Sequence, residues 1–111
     1  MASTNNPLYI NAQSMASTIT GPACNLIDLP KFCFQTVYTG CSNAVGTFQV
    51  QGSNDNTNWV NIAGASVTLS TFTGSDTDLY EIIQASYYYT RLVYTATSGS
   101  GTLTVSFRSI T

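Results

Sequence analysis

Histidine is absent from this 111-residue chain, and charged residues make up only 7% of it. Histidine is the commonest general base and a common metal ligand, so the side chain on which many catalytic and metal sites depend is missing. The three cations are Lys31, Arg91 and Arg108. Such a set forms no basic stripe that could neutralise phosphates. The composition therefore argues against an enzyme, a metal or cofactor site, and nucleic-acid binding.

The chain also has no run of about 18 apolar residues, and its first residues lack a cationic start followed by an apolar core. We therefore expect no membrane association, no secretory signal, and synthesis in a cytoplasm. Cysteine occurs three times, at positions 24, 33 and 41, with spacings that match no zinc pattern. Reduced thiols are expected in that compartment, and a bridge from Cys24 or Cys33 to Cys41, formed after lysis, is the alternative.

Short alternating runs separated by polar turns fill the rest of the chain, and 43% of all residues are apolar. This pattern predicts an all-β fold: an antiparallel, jelly-roll-like β-sandwich of about seven or eight strands. The sandwich is expected to occupy residues 15–111 as one domain, after an extended N-terminal arm over residues 1–14. Within the arm, the segment 8–12 is read either as an edge strand or as a mobile extension, since Pro7 precedes it.

Loops are expected at residues 40–46 and at the sequences GSNDNTN, TGSDTD and TSGSG. The strand KFCFQTVYTG carries apolar side chains on both faces, which predicts a central position in a sheet. In the next strand, Phe48 and Val50 should face inward and Gln49 and Gln51 outward. A similar alternation places Leu103 and its alternate neighbours inward in the last strand.

The combination of VQGSNDNTNW, YYYTRLVYT and a terminal GSGTLTV strand resembles small virion proteins of tailed bacteriophages. The resemblance covers about residues 45–107. A weaker resemblance relates the same hairpin to discoidin-like, galactose-binding-like sandwiches. The first resemblance implies a non-enzymatic structural protein of the virion, such as a capsid decoration or cement protein. Its implied partners are the major capsid protein or other virion proteins. A homo-oligomer is also implied, with a trimer favoured at three-fold lattice positions.

The alternative function is a carbohydrate- or receptor-binding module of a tail or fibre. The position of Trp59 distinguishes the two functions. In a binding module it would stack on a sugar ring, whereas in a structural protein it would pack over the core, and we expect packing. The tyrosines at 87, 88 and 89 cannot all face one way, so at least one should be either a solvated edge or an interface anchor. Arg91 should pair with an acid or stack on a tyrosine.

The residues expected to contact a partner are exposed side chains of the arm and of the tyrosine strand: Leu8, Tyr9, Ile10, Tyr87, Tyr89 and Arg91. The acids Asp76, Asp78 and Glu81 could in principle hold calcium in a loop. Their spacing fits no EF-hand, so a solvated turn is the preferred interpretation. No catalytic, cofactor-binding or metal-binding residue is therefore expected.

Overall fold

The computed structural model describes residues 3–27 and 29–110. This part of the chain contains six strands and no helix: β1 (Ser3–Ser14), β2 (Ile19–Thr20), β3 (Cys24–Asn25), β4 (Lys31–Ser53), β5 (Val60–Ile82) and β6 (Tyr89–Ile110). Every pairing between them is antiparallel. The expected all-β antiparallel sandwich is confirmed, with six strands in place of seven or eight.

Three of the strands are long enough that they have to bend. A strand of 23 residues, the length of β4 and of β5, would extend about 75 Å at roughly 3.3 Å per residue. The longest dimension of the molecule is 41 Å. The bends coincide with register shifts, and three of them with glycines in the left-handed region: Gly40 (φ 59°), Gly74 (φ 114°) and Gly99 (φ 85°). Each long strand therefore runs through two halves of the sandwich.

The expected loops at 40–46, TGSDTD and TSGSG are thus bends inside continuous strands, and the prediction of loops there was wrong. Glycine and asparagine permit the positive φ that a bulge needs, and pairing with the neighbouring strands resumes on both sides of each bend. Merging these segments accounts for the lower strand count.

Two sheets result from the bends. Sheet I combines β1 with residues 102–110 of β6, 31–39 of β4 and 76–82 of β5. Sheet II combines β2 and β3 with residues 89–98 of β6, 42–53 of β4 and 60–72 of β5. In both sheets β4 lies between β6 and β5, which confirms the predicted central strand.

The core lies between the inner faces of the two sheets. Tyr38 of sheet I and Phe48 of sheet II have ring centroids 5.1 Å apart, and the Phe48 ring lies 4.6 Å from that of Tyr94. Phe48 and Val50 are fully buried whereas Gln49 and Gln51 are not, as predicted. Leu103, Val105 and Phe107 also face inward.

The N-terminal segment is an edge strand of sheet I, which was one of the two interpretations of residues 8–12, and residues 3–14 are not an arm separate from the sandwich. β1 pairs with β6 from Ser3↔Ile110 to Ser14↔Thr102. Tyr9 and Ile10 of β1 are buried, at 5% and 2% exposure. The Tyr9 hydroxyl donates to the carbonyl oxygen of Pro22 and accepts from the backbone N–H of Leu92 at 3.2 Å. β1 therefore ties the two sheets together. Residues 1 and 2 of the expected arm lie outside the described residues.

The turn between β4 and β5 is built around Asp55. Its carboxylate accepts the backbone N–H groups of Asn58 at 2.8 Å and Thr57 at 2.9 Å, and the Asn58 side-chain amide at 2.7 Å. These donors hold the pKa of the Asp55 carboxyl well below its usual range. The predicted GSNDNTN turn is therefore present, and its acid bonds its own backbone as such residues do.

Candidate interaction surface

The outer face of sheet II carries a cluster of four polar and aromatic side chains, Gln51, Trp59, Asn61 and Arg91. Gln51 lies opposite Arg91 on β6 and opposite Asn61 on β5, so the three form one row across the sheet. Trp59 directly precedes β5 and reaches the same row. We call these four residues the Arg91 cluster.

Two contacts fix the guanidinium of Arg91. Its Nε donates to Oε1 of Gln51 at 2.8 Å, and its Cζ lies 4.2 Å from the centroid of the Trp59 ring. Gln51 is itself held, because its Nε2 donates to Oδ1 of Asn61 at 2.9 Å. The cation–π contact contributes roughly 0.5–1 kcal/mol at a half-exposed site. The row therefore holds a cation in one orientation on an open face.

The predicted aromatic stack of Arg91 is present, but the ring is Trp59 and not a tyrosine. Trp59 is half-buried on the outer face and is not a member of the hydrophobic core. The prediction that it packs over the core was wrong, because its ring lies against the guanidinium of Arg91 on the outer face. One face of the indole is covered by the guanidinium, which leaves less of the ring to stack on a sugar.

Of the other expected contact residues, Tyr89 lies two positions before Arg91 on β6 and so shares its face. Leu8 is 56% exposed. Tyr9 and Ile10 pack inside the core, so the expectation that their side chains are exposed was wrong. Tyr87 is partly buried, with its ring 6.1 Å from that of Phe32.

Tyr88 is the exposed tyrosine of the triplet, at 56% exposure. It lines a shallow cavity of about 350 Å³ with Leu29, Asn54 and Ala85. A second cavity of about 280 Å³ lies on the other side of Asn54. Both are at the loop end of the sandwich, and neither is lined by a residue of the Arg91 cluster.

The acids Asp76, Asp78 and Glu81 do not converge on one point. Asp76 and Asp78 lie across from Tyr38 and Thr36, two inward-facing residues of β4. Glu81 lies across from Cys33, which is on the outer face. The Tyr38 hydroxyl donates to Oδ2 of Asp78 at 2.7 Å. The described residues contain no group of three or more metal-ligating side chains.

The outer face of sheet I is neutral over most of its area. Gln35 lies between Leu79 and Ser106, and Val37 lies between Thr77 and Thr104. Leu79 is 62% exposed and Val37 37%. The charged side chains of this face lie at one end: Glu81 and Arg108 are opposite Cys33, and Lys31 lies two positions before it. The middle of the face therefore presents hydroxyls, amides and two apolar side chains to a neighbour. We call this middle part the neutral face; it comprises Gln35, Val37, Thr77, Leu79, Thr104 and Ser106.

The three cysteines are free. Burial raises the pKa of the Cys24 thiol to about 12 and also raises the pKa of Cys33 and of Cys41. Thiols in that state are weak nucleophiles at neutral pH. No helix in the described part of the chain is long and apolar enough to cross a membrane.

No protein-family model and no curated protein sequence matches the chain. Among solved structures, it is similar to the SPBc2 prophage-derived protein YomS, with a TM-score of 0.63 and 12% identity over 99% of this chain and 94% of that one. It is also similar to a chain of infectious bursal disease virus, Gx strain, with a TM-score of 0.61 and 12% identity. That match covers 98% of this chain but only 32% of the viral one. At this identity the likeness establishes the shared fold.

Proposed function

We propose that this chain is a non-enzymatic structural protein of a tailed-phage virion, and specifically a capsid decoration protein that binds and stabilises the head lattice. The neutral face carries the proposal. The fold shared with a prophage-derived protein along almost the whole of both chains supports it. The major capsid protein is the proposed partner, and the particle is the proposed location.

The chemistry of the neutral face suits burial against another protein. Covering hydroxyls and amides that find new hydrogen bonds costs far less than covering ions, and Leu79 and Val37 add apolar contact area. A modest contact of this kind becomes strong when many copies engage one lattice. We propose a homo-oligomer, with a trimer favoured because closed symmetry suits three-fold lattice positions.

The test is light scattering of the purified chain, followed by co-sedimentation with particles of the phage that encodes it. We expect a defined oligomer that pellets in a copy number related to the lattice. A chain that stays in the supernatant would overturn the proposal. It would direct attention to the alternative, a carbohydrate- or receptor-binding module, and to a glycan array.

A variant pair sharpens the test. Leu79→Asp places a charge in the neutral face and should reduce pelleting by about tenfold or more, the effect of a hot-spot contact. Ile83→Asp is the matched control, because Ile83 is 67% exposed but lies outside the neutral face. Equal pelleting of the two variants would exclude the neutral face as the contact.

Deleting residues 1–14 is not a suitable test of binding. The deletion would remove Tyr9 and Ile10 from the core, and with them the hydrogen bonds that join the two sheets. Substitution of the exposed Leu8 examines the contribution of β1 without that loss.

A further inference from the structure

The guanidinium of Arg91 is held by Gln51 and Trp59, but no described residue accepts a hydrogen bond from its terminal nitrogens. Nε is bonded to Gln51, but neither Nη group donates to a described side chain or carbonyl. An unpaired nitrogen that was buried would belong with the buried polar atoms that lack a partner. Those atoms are Tyr80 Oη, Tyr87 Oη, Tyr94 Oη and Ser109 Oγ, and the Arg91 nitrogens are not among them. The end of the guanidinium therefore faces solvent with its N–H groups available.

No carboxylate of the described residues forms a salt bridge with this cation. The chain has five acidic residues and three cationic ones, so a shortage of acidic residues does not explain the missing salt bridge. Asp55, in the turn that precedes Trp59, directs its carboxylate to its own turn. A guanidinium that is half-buried, oriented by two contacts and without a described counter-ion is suited to an acid from outside the chain.

We propose that the Arg91 cluster binds the carboxylate of an Asp or Glu side chain on a neighbouring protein subunit of the particle. The carboxylate would lie end-on against the two Nη groups, as a bidentate pair. This inference rests on the proposed virion function and names the chemistry of a second contact, on the sheet opposite the neutral face.

The surroundings favour a protein surface over a small acidic ligand. Neither Arg91 nor Trp59 lines any of three cavities among the described residues, and the row of Gln51, Arg91 and Asn61 lies on the open outer face of sheet II. Small ligands are usually held in concave sites, whereas an open face matches a protein neighbour. Trp59 and the adjacent Tyr89 supply the aromatic contacts that commonly accompany arginine at interface hot spots.

Trp59 is the only tryptophan of the chain, so its fluorescence reports directly on the cluster. The first experiment titrates the purified chain with acetylated hexaglutamate, with hexaglutamine, and with N-acetylneuraminic acid. We expect a saturable change with hexaglutamate alone, and its loss in Arg91→Lys. The lysine keeps the charge but loses the planar fork and the stack. A response to the sugar acid and not to hexaglutamate, or to neither probe, would overturn the proposal.

The second experiment measures particle binding of Arg91→Lys beside Arg108→Lys. Arg108 is an exposed cation on the same strand but on the other sheet, which makes it a matched control for charge. We expect about a tenfold loss of affinity for Arg91→Lys and little change for Arg108→Lys. If the wild type binds particles and the two variants bind with equal affinity, the carboxylate contact is overturned and the virion function is not. Absence of wild-type binding would overturn the virion function, and the fluorescence titration would still judge the cluster.

Discussion

Two buried tyrosines should respond in opposite directions to the same chemical change. Tyr94 is fully buried, and its hydroxyl oxygen has no partner among the described residues. Tyr9 is also buried, but its hydroxyl donates to Pro22 and accepts from Leu92. Tyr94→Phe removes a desolvated, unpaired polar group, whereas Tyr9→Phe leaves the Pro22 carbonyl and the buried Leu92 N–H without their side-chain partner.

The expected changes in the free energy of unfolding follow from the hydrogen bonds that each hydroxyl makes or lacks. An unsatisfied buried hydroxyl costs about 1–3 kcal/mol, so Tyr94→Phe should raise the free energy of unfolding by about 1 kcal/mol after the lost contact with Gly46 is allowed for. Tyr9→Phe should lower it by about 2 kcal/mol, at about 1 kcal/mol for each hydrogen bond. With a urea m-value near 1.5 kcal/mol/M, the two variants would differ by about 2 M in midpoint.

The assay is equilibrium urea unfolding followed by Trp59 fluorescence and by circular dichroism, with unchanged m-values as the condition for comparison. Tyr94→Phe less stable than wild type by 1 kcal/mol or more would refute the reasoning. It would mean that the hydroxyl has a partner, such as an ordered water.

Three further predictions concern separate features. Gly46→Ala should lower the unfolding free energy by about 2 kcal/mol or more, since the new Cβ would meet the Tyr94 hydroxyl and a backbone oxygen 2.6 Å away. Gly40→Ala meets no atom and should cost only the left-handed strain, about 1 kcal/mol; equal urea midpoints would contradict this. The lowered pKa of Asp55 contributes stability that is present above about pH 4 and is lost as the pH falls further, so the midpoint gap between wild type and Asp55→Asn should narrow from pH 5 to pH 2. In the native protein, a thiol reagent at pH 8 should modify Cys33 faster than Cys24, and rapid modification of Cys24 would indicate that β3 opens.

Side-chain alternation was enough to predict the inner and outer faces of β4 and β6. The period of two is a property of an extended backbone itself. Because Phe48 and Val50 alternate with Gln49 and Gln51, only one face of this strand can be the buried one. The same rule misleads in β1, where the neighbours Tyr9 and Ile10 both face the core. A register shift between Asn6 and Ile10 makes this possible, and a bulge of that kind depends on the partner strand.

The Arg91 cluster could be predicted only in part, because its contacts join three strands. Placing Tyr89 and Arg91 on one face needs only the strand period. The contact of Arg91 with Trp59 depends on the register of β4 against both β5 and β6, which local sequence does not specify. The bends in the long strands have the same origin. Glycine and asparagine at 40–46 are compatible with a loop or a bulge, and the neighbouring strands decide between them.

The edges of the sandwich limit how copies of the chain can assemble. An edge strand can pair with another chain unless something prevents it. Pro7 interrupts the edge at β1, and register shifts interrupt β5 on both sides of Leu69. Farther along β5, Asp76 and Asp78 point inward at the sheet I edge, a known device against strand addition. Because the edges at β1 and β5 are protected in this way, assembly through the sheet faces is favoured over strand addition there. The neutral face and the Arg91 cluster lie on those two faces, so a subunit engaged through both would bridge two neighbours in a particle.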